Sequence, residues 1–342
     1  MKVIIPAAGY GTRMRPHTHT RPKPLVPVAG RPSLALVLDA LGTLNIDEII
    51  IIVGKMGEQM EEYATRHYPQ YKFRFVEQKV MRGQADAIAL TEPYVDGDVL
   101  TLFVDTLFEA DLTVVNNLPD ADGAIFVSEV EDPSRFGIAV LGEDGNVRKM
   151  VEKPANPESN LALVGLYYFK DSTALFRGIH RLMASGRSLK GEYYLADAVQ
   201  EMIDSGAKFR TFPVEVWEDT GTWDATLHTN RYFLRKMDPN TEPYMRGSSL
   251  VIPPCFIAED ATVENSVIGP FASISEGATV RDSVVKNSII SPDATVSAMN
   301  LFGAMIGERA TVEGSYSAIN VGDDSVLHAV GKGDATIDET FK

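Results

Sequence analysis

The chain has 342 residues, room for roughly two domains of ordinary size. Hydrophobic residues make up 44% and charged residues 23%, which excludes a disordered or collagen-like chain. The net charge of −15, from 47 acidic against 32 basic side chains, argues against nucleic acid or an anionic membrane as partner. No apolar run nears the ~18 residues of a membrane span, and Met1-Lys2-Val3-Ile4-Ile5 turns at once into Pro6 and a glycine loop. The single cysteine, Cys255, fits a reducing compartment. A cytoplasmic location is expected.

In chain order, Val3-Ile4-Ile5 reads as a buried strand, Pro32–Leu44 as a helix and Glu48–Val53 as a second strand. Met56–His67 has the pattern of an amphipathic helix, Phe73–Val76 of a strand and Gly83–Leu90 of a short helix. Val99–Val104 is a continuous apolar strand closed by Asp105. Ala124–Val130, a hairpin about Gly142–Gly145, Leu161–Phe169 and a helix over Tyr193–Asp204 follow. Strands alternating with helices predict an α/β, Rossmann-like domain over residues 1–236 with a mostly parallel sheet. Ligands of such sheets sit beyond the carboxyl ends of the strands, so the residues after Ile5, Val104 and Val216 are the ones to weigh.

Residues 237–249 have the turn-rich composition of a linker. From 250 to 320 small aliphatic residues return at intervals of five or six: Ile252, Ile257, Val263, Ile268, Ile274, Val280, Val285, Ile290, Val296, Leu301, Ile306 and Val312. A helix would space them by three and four. Hexapeptide periodicity instead predicts a short left-handed β-helix, with the aliphatic residue inward at each wall and a tail at 321–342.

The chemistry gathers near the N-terminus. Residues 1–38 contain no acid but carry Lys2, Arg13, Arg15, Arg21, Lys23 and Arg31. A glycine loop directly after a strand, Ala8-Gly9-Tyr10-Gly11-Thr12-Arg13, lets backbone N–H groups approach a phosphate. Met14 stands where a dinucleotide fingerprint needs its third glycine, and no Gly-Lys-Ser/Thr follows for a Walker A loop. The plainer alternative, a tight turn and a solvated basic face, explains the glycines but not the acid-free cluster of cations.

Gly9-x-Gly11-Thr12-Arg13-Met14-x-Pro16-x-Thr18 with Pro22-Lys23-Pro24 resembles the sugar-nucleotide pyrophosphorylases, or sugar-1-phosphate nucleotidylyltransferases. It is most like the longer glucose-1-phosphate thymidylyltransferases and related uridylyltransferases. Gln78…Gly83-Gln84-Ala85-Asp86-Ala87, Phe136-Gly137, Glu152-Lys153-Pro154, Gly165-Leu166-Tyr167 and Trp217–Thr222 extend the likeness, and a hexapeptide domain is common in the family. The resemblance implies the reaction of an NTP with a sugar 1-phosphate to give an NDP-sugar and pyrophosphate. It implies triphosphate binding by Ala8, Gly9, Gly11, Thr12, Arg13 and Lys23, with Lys153 near the attacked phosphate. Lys190 would hold the sugar phosphate, and Gly137, Glu152 and Gly165 would surround the sugar.

Asp105 and Asp219 follow strand segments and suit an octahedral Mg²⁺ completed by phosphate oxygens and water. A helix cap at Asp105 and an Asx turn at Asp219 are the plainer alternatives. Thr106 stands where relatives often carry Asn. Gln78 and Gly83 are candidate readers of a thymine or uracil edge, although a surface glutamine is the ordinary reading. His17-x-His19 lacks a third metal ligand and is expected to line the loop. Two other functions remain: a non-catalytic regulatory subunit, disfavoured because Arg13, Lys23 and both aspartates are kept, and an added acyltransferase, disfavoured because residues 250–320 hold no histidine. The β-helix is expected to mediate homo-oligomerisation.

Overall fold

The computed structural model describes residues 1–238 and 242–314. Residues 239–241 of the expected linker, 315–320 of the expected repeat region and the tail 321–342 lie outside the described residues.

A nine-stranded sheet organises the first part of the chain. Its strands lie in the order Val147–Glu152, Gly137–Leu141, Leu161–Phe169, Val99–Leu102, Lys2–Pro6, Glu48–Val53 and Phe73–Glu77. Gly123–Glu129 pairs with Leu161–Phe169, and Phe209–Pro213 lies beyond it. The last four strands of that order are parallel neighbours. Leu161–Phe169 instead runs antiparallel to Val99–Leu102 and Gly123–Glu129. The half bearing the glycine loop is therefore parallel, and the other half is mixed. The short Gly142–Asn146 connection between Gly137–Leu141 and Val147–Glu152 permits only an antiparallel hairpin.

Side-chain alternation assigns the two faces. Val3 and Ile5 enter one core with Ile49 and Ile51, whereas Ile4 enters the other with Ile52. The helices are α1 (Ser33–Ala40), α2 (Gly57–His67), α3 (Gln84–Ala89), α4 (Ser172–Ser185), α5 (Leu195–Asp204) and α6 (Trp223–Met237). α1 and α2 cover the first face through Leu34, Leu38 and Met60. α4 and α5 cover the second through Phe176, Ile179, Leu195 and Val199. The sequence reading did not single out α4 or α6.

Residues 249–313 form three parallel ladders whose strands recur coil by coil. Their inward columns are Val251–Ile268–Val285–Leu301, Ile257–Ile274–Ile290–Ile306 and Val263–Val280–Val296–Val312. This is the short left-handed β-helix expected from the repeat, with one change of phase. At the first corner Val251 is fully buried and Ile252 only partly. Within the stretch read as a linker, Tyr244–Arg246 forms a strand antiparallel to Ser249–Val251.

The β-helix packs on the α/β domain. Phe256 and Phe271 meet Val28, Ala29, Phe233 and Leu234. Gly30 is left-handed at φ +80°, and a Cβ there would collide with the Phe256 ring. Fully buried Asn230 joins the parts: its Oδ1 accepts the Ala29 N–H and the Ser273 hydroxyl, each at 2.8 Å.

Candidate active site

The strand Lys2–Pro6 runs out where the Ala7 N–H makes its last ladder bond, 2.8 Å to the Ile52 carbonyl. The chain then turns through Gly9 and Gly11. Gly11 is left-handed (φ +59°), and a Cβ there would lie 3.0 Å from Thr18 Cγ2 and 3.1 Å from Lys23 Cβ. Any other residue would be strained and would crowd the lysine. The Thr18 hydroxyl donates to the Gly11 carbonyl at 2.8 Å, and buried Met14 anchors the turn beneath Arg13. Lys23 opens a short 3-10 turn, Lys23–Leu25, and its Nζ lies 3.0 Å from Asp105 Oδ2.

These residues surround a cleft of about 440 Å³ at the carboxyl edge of the parallel strands. Its lining brings together Ala8, Gly9, Gly11, Thr12, Arg13, Lys23, Gln78, Gly83 and Asp105.

Asp105 follows Val99–Leu102 in a bend, and Thr106–Glu109 is a strand, so the helix-cap alternative fails. Thr106 is buried there, opposite Asp219 of the antiparallel strand Val216–Asp219. The Thr220 N–H donates to the Asp105 carbonyl at 3.2 Å, which ties the two aspartate-bearing segments. The Asx turn at Asp219 is formed, because its Oδ1 accepts the Gly221 N–H at 2.6 Å. A Cβ on Gly221 would lie 2.8 Å from Asp219 Oδ1 and 3.3 Å from Arg13 Nη2, so carboxylate and guanidinium converge beside the cleft. Among the described residues no three or more His, Cys, Asp or Glu side chains form a metal cage. Asp105 and Asp219 each commit one oxygen to a neighbour, which leaves one apiece with which the pair could hold a cation.

Gln78 is not a surface residue: it is 5% exposed. Its Nε2 donates to Asp86 Oδ2 at 3.1 Å and to the Gly83 carbonyl at 3.3 Å. Asp86 is held in turn by Arg82, at 2.6 Å. Gly83 (φ +99°) has a packing reason as well, since a Cβ would lie 2.6 Å from the Tyr193 backbone nitrogen.

The sugar-side candidates Gly137, Glu152, Lys153, Gly165 and Lys190 are not among the residues that line this cleft. Gly137 pairs with Glu152 across the hairpin, and a Cβ on it would lie 2.8 Å from Glu152 Oε2. Burial pushes the Glu152 carboxyl up from its ordinary value, and the Lys153 ammonium 3.4 Å away opposes the shift. Lys153 is left-handed (φ +45°), and its Nζ stands 5.4 Å from the Tyr194 ring centroid. Gly165 (φ +94°) sits where the Leu161–Phe169 strand shifts register, and a Cβ there would lie 2.6 Å from Phe103, a lining residue of the cleft. Lys190 (φ +54°) and Gly191 form the turn between Leu189 and Glu192. Lys190 is exposed and does not line the cleft, whereas Glu192 does.

Glu192, Asp86, Arg82 and Tyr194 were not anticipated from sequence. Asp86 stands in the Gly83–Ala87 stretch but had no role assigned, Arg82 meets Gln78 only by way of Asp86, and Glu192 adjoins the Lys190 candidate.

Residues 2–236 match the family model described as nucleotidyl transferase. The glucose-1-phosphate thymidylyltransferase of Streptomyces antibioticus is 31% identical over 94% of this chain and 96% of its own length. A UTP–glucose-1-phosphate uridylyltransferase of Haloferax volcanii is 32% identical over 64% of this chain and 89% of its own. A solved UDP-glucose pyrophosphorylase complexed with UDP-glucose has a TM-score of 0.61 at 22% identity, covering 69% of this chain and 98% of that one, a likeness of fold. With the family model spanning the whole α/β domain and its cleft, the chain belongs to the nucleotidyl transferase family.

Proposed function

We propose that the protein is a sugar-1-phosphate nucleotidylyltransferase that joins dTTP or UTP to a sugar 1-phosphate, with glucose 1-phosphate as the first choice, and releases pyrophosphate. The observation that carries this reading is the single cleft in which the glycine loop, Arg13, the Lys23–Asp105 pair and buried Gln78 meet. The attacking group is already a phosphate oxygen, so no proton need be removed. Catalysis then consists of aligning two anions, offsetting their repulsion and stabilising the leaving pyrophosphate.

In this reading Arg13, Lys23 and the N–H groups about Ala8, Gly9, Gly11 and Thr12 hold the triphosphate. Lys153 faces the reacting phosphate, Lys190 reaches in from the rim, and Glu152 accepts sugar hydroxyls beside Gly137 and Gly165. Asp105 and Asp219 would hold Mg²⁺, which when bound screens the phosphate charge and polarises the reacting phosphoryl group. Base choice follows from Gln78. A carboxylate accepts only, so Asp86 takes the amide NH₂ and leaves Oε1 as an acceptor. An acceptor there complements the N3–H of thymine or uracil.

Among the described residues no helix is long and apolar enough to cross a membrane. The β-helix, with Tyr244 and Met245 exposed on the antiparallel strand that edges its first coil, is the proposed surface for homo-oligomerisation. A strictly monomeric mass by light scattering rejects that role. The enzyme assignment is tested by a matrix of NTPs against sugar 1-phosphates with Mg²⁺, reading pyrophosphate. Highest turnover is expected with dTTP or UTP and glucose 1-phosphate, and a clear preference for ATP or GTP overturns the base assignment.

A further inference from the structure

The strap 12–27 that carries Arg13 and Lys23 also lies against the last described coil of the β-helix, over a cavity of about 490 Å³. Arg21 sits at the junction. Its Nη1 donates to the Leu25 carbonyl at 3.3 Å, and its Nη2 donates to Glu308 Oε2 across 287 residues of chain. Glu308 stands in the turn between the strands Met305–Ile306 and Thr311–Glu313. The two side chains are only 21% and 23% exposed, so solvent screens this pair less than an ordinary surface pair.

We propose that Glu308 is a positioning residue for the nucleotide side of the cleft, acting through Arg21 on the turn that presents Lys23. The inference rests on the reading of that cleft as an NTP site. Leu25 closes the 3-10 turn that Lys23 opens: the Leu25 N–H bonds the Pro22 carbonyl at 2.9 Å, and the Val26 N–H bonds the Lys23 carbonyl at 3.0 Å. The guanidinium therefore grips the far end of the lysine's own turn with one arm and the β-helix with the other. Removing the Glu308 carboxylate frees Arg21 toward Asp39 and Glu276, which share a neighbouring cavity with it. The strap keeps its other tethers, the Thr18 bond to Gly11 and the Gln59 amide bond to the Thr20 carbonyl at 2.9 Å. Loss of the carboxylate thus loosens the placement of Lys23 without unfolding the strap. It also gives the β-helix a task inside its own subunit: it holds the distal side of the triphosphate loop.

The test uses the full chain and two readouts, dTTP and UTP affinity by calorimetry and, where turnover is present, KM for each substrate. Glu308→Gln is expected to weaken NTP binding and raise KM for NTP about fivefold to tenfold. KM for the sugar 1-phosphate should stay within twofold and the melting temperature should not move. Glu308→Asp, which restores the carboxylate, should recover most of the affinity. Glu276→Gln, on the neighbouring cavity wall, should change neither. The other Glu308 oxygen pairs with its neighbour Arg309, so Arg309→Gln, which leaves the Arg21 contact in place, should keep NTP binding within twofold of the parent. The double variant Arg21→Gln/Glu308→Gln should bind NTP no worse than Arg21→Gln, because Glu308 acts on the cleft through Arg21. NTP binding in Glu308→Gln within twofold of the parent overturns the inference and leaves the enzyme reading standing. Equal weakening of both substrates with a lowered melting temperature also overturns it, because that is a stability effect. A parent chain that binds no NTP overturns both readings.

Discussion

In the sheet of residues 2–213 no two strand ends meet the same surroundings, whereas in the β-helix each coil repeats the one beneath it. Lys2–Pro6 opens into the glycine loop, Val99–Leu102 into Asp105, and Phe73–Glu77 into Gln78. Parallel neighbours place these dissimilar ends side by side, which is how a cation-bearing loop, a carboxylate and a locked amide come to share one cleft. The β-helix does the reverse. Ile257, Ile274, Ile290 and Ile306 form one column, and at another corner the Ser266, Ser283 and Met299 N–H groups each donate to the serine hydroxyl one coil earlier, at 3.0 to 3.1 Å. At that corner the hydroxyl that one coil offers bonds its neighbour, so the wall gives stability and a shaped surface. Substitutions should therefore divide, with rate effects in the cleft and stability effects in the inward columns of the β-helix; Glu308, which faces the strap rather than the next coil, is the proposed exception.

The largest expected effect is in the cleft. Asp219→Asn keeps an oxygen for the Gly221 N–H, so the turn persists, but it removes the charge proposed to hold the cation. Pyrophosphate release should fall roughly 10²-fold or more with an unchanged melting temperature. Activity that survives with its Mg²⁺ dependence intact breaks the metal assignment. In the β-helix, Ile274→Ala leaves a gap between Ile257 and Ile290 at a fully buried position. Denaturant unfolding should show a loss of about 2–4 kcal/mol. KM and kcat, measured where both proteins are folded, should hold, and a matching loss of kcat would show that the division is false.

A smaller effect sharpens the same contrast through pH. Burial raises the Glu152 carboxyl above its ordinary value, so the folded protein holds that proton to higher pH than the unfolded chain does. Above the raised value the group is ionised at some cost to stability and, in the proposed reading, accepts sugar hydroxyls. As pH falls through it, the group protonates, the cost is relieved and an acceptor is lost. KM for the sugar 1-phosphate should climb a few-fold on acidification while KM for NTP does not follow. Glu152→Gln should flatten that rise; a rise of the same size in the variant assigns it to another group.

Strand positions were legible because β-branched runs such as Glu48–Val53 are buried on both faces, and the observed limits there equal the expected ones. The hexapeptide columns were legible because repetition writes one inward position many times. Helix α6 was not, for a physical reason. Its buried face includes Thr226, Thr229 and Asn230, whose side chains bond the Thr222 and Asp219 carbonyls and the Ala29 N–H, so polar residues interrupt the stripe of Leu227 and Leu234. α4, with Leu175, Phe176, Ile179 and Leu182 at helical spacing, does carry an apolar stripe and is legible in the sequence, though it is not among the helices expected above. In the cleft, glycines and cations were visible as composition. What sequence could not show was orientation: that Asp86 turns the Gln78 amide, or that Lys23 meets Asp105 across 82 residues.

The smallest expected effect lies on the outer wall of the β-helix. Glu264 and Arg281 occupy the same register on successive coils, with Oε2 2.8 Å from Nε, and both side chains are 52% exposed. The next coil carries Ser297 at that register, so the charge pair does not continue into a ladder that would multiply it. An exposed pair of this kind loses most of its Coulomb gain to water and to the ordering of two long side chains. Glu264→Gln should shift unfolding by no more than about 0.5 kcal/mol in low salt and by less at high ionic strength, where screening shortens its range. Against the loss expected at Ile274, that ratio places the stability of the β-helix in its inward columns. A loss at Glu264 as large as the one at Ile274, and removable by salt, would instead mean that the walls are held by their charges.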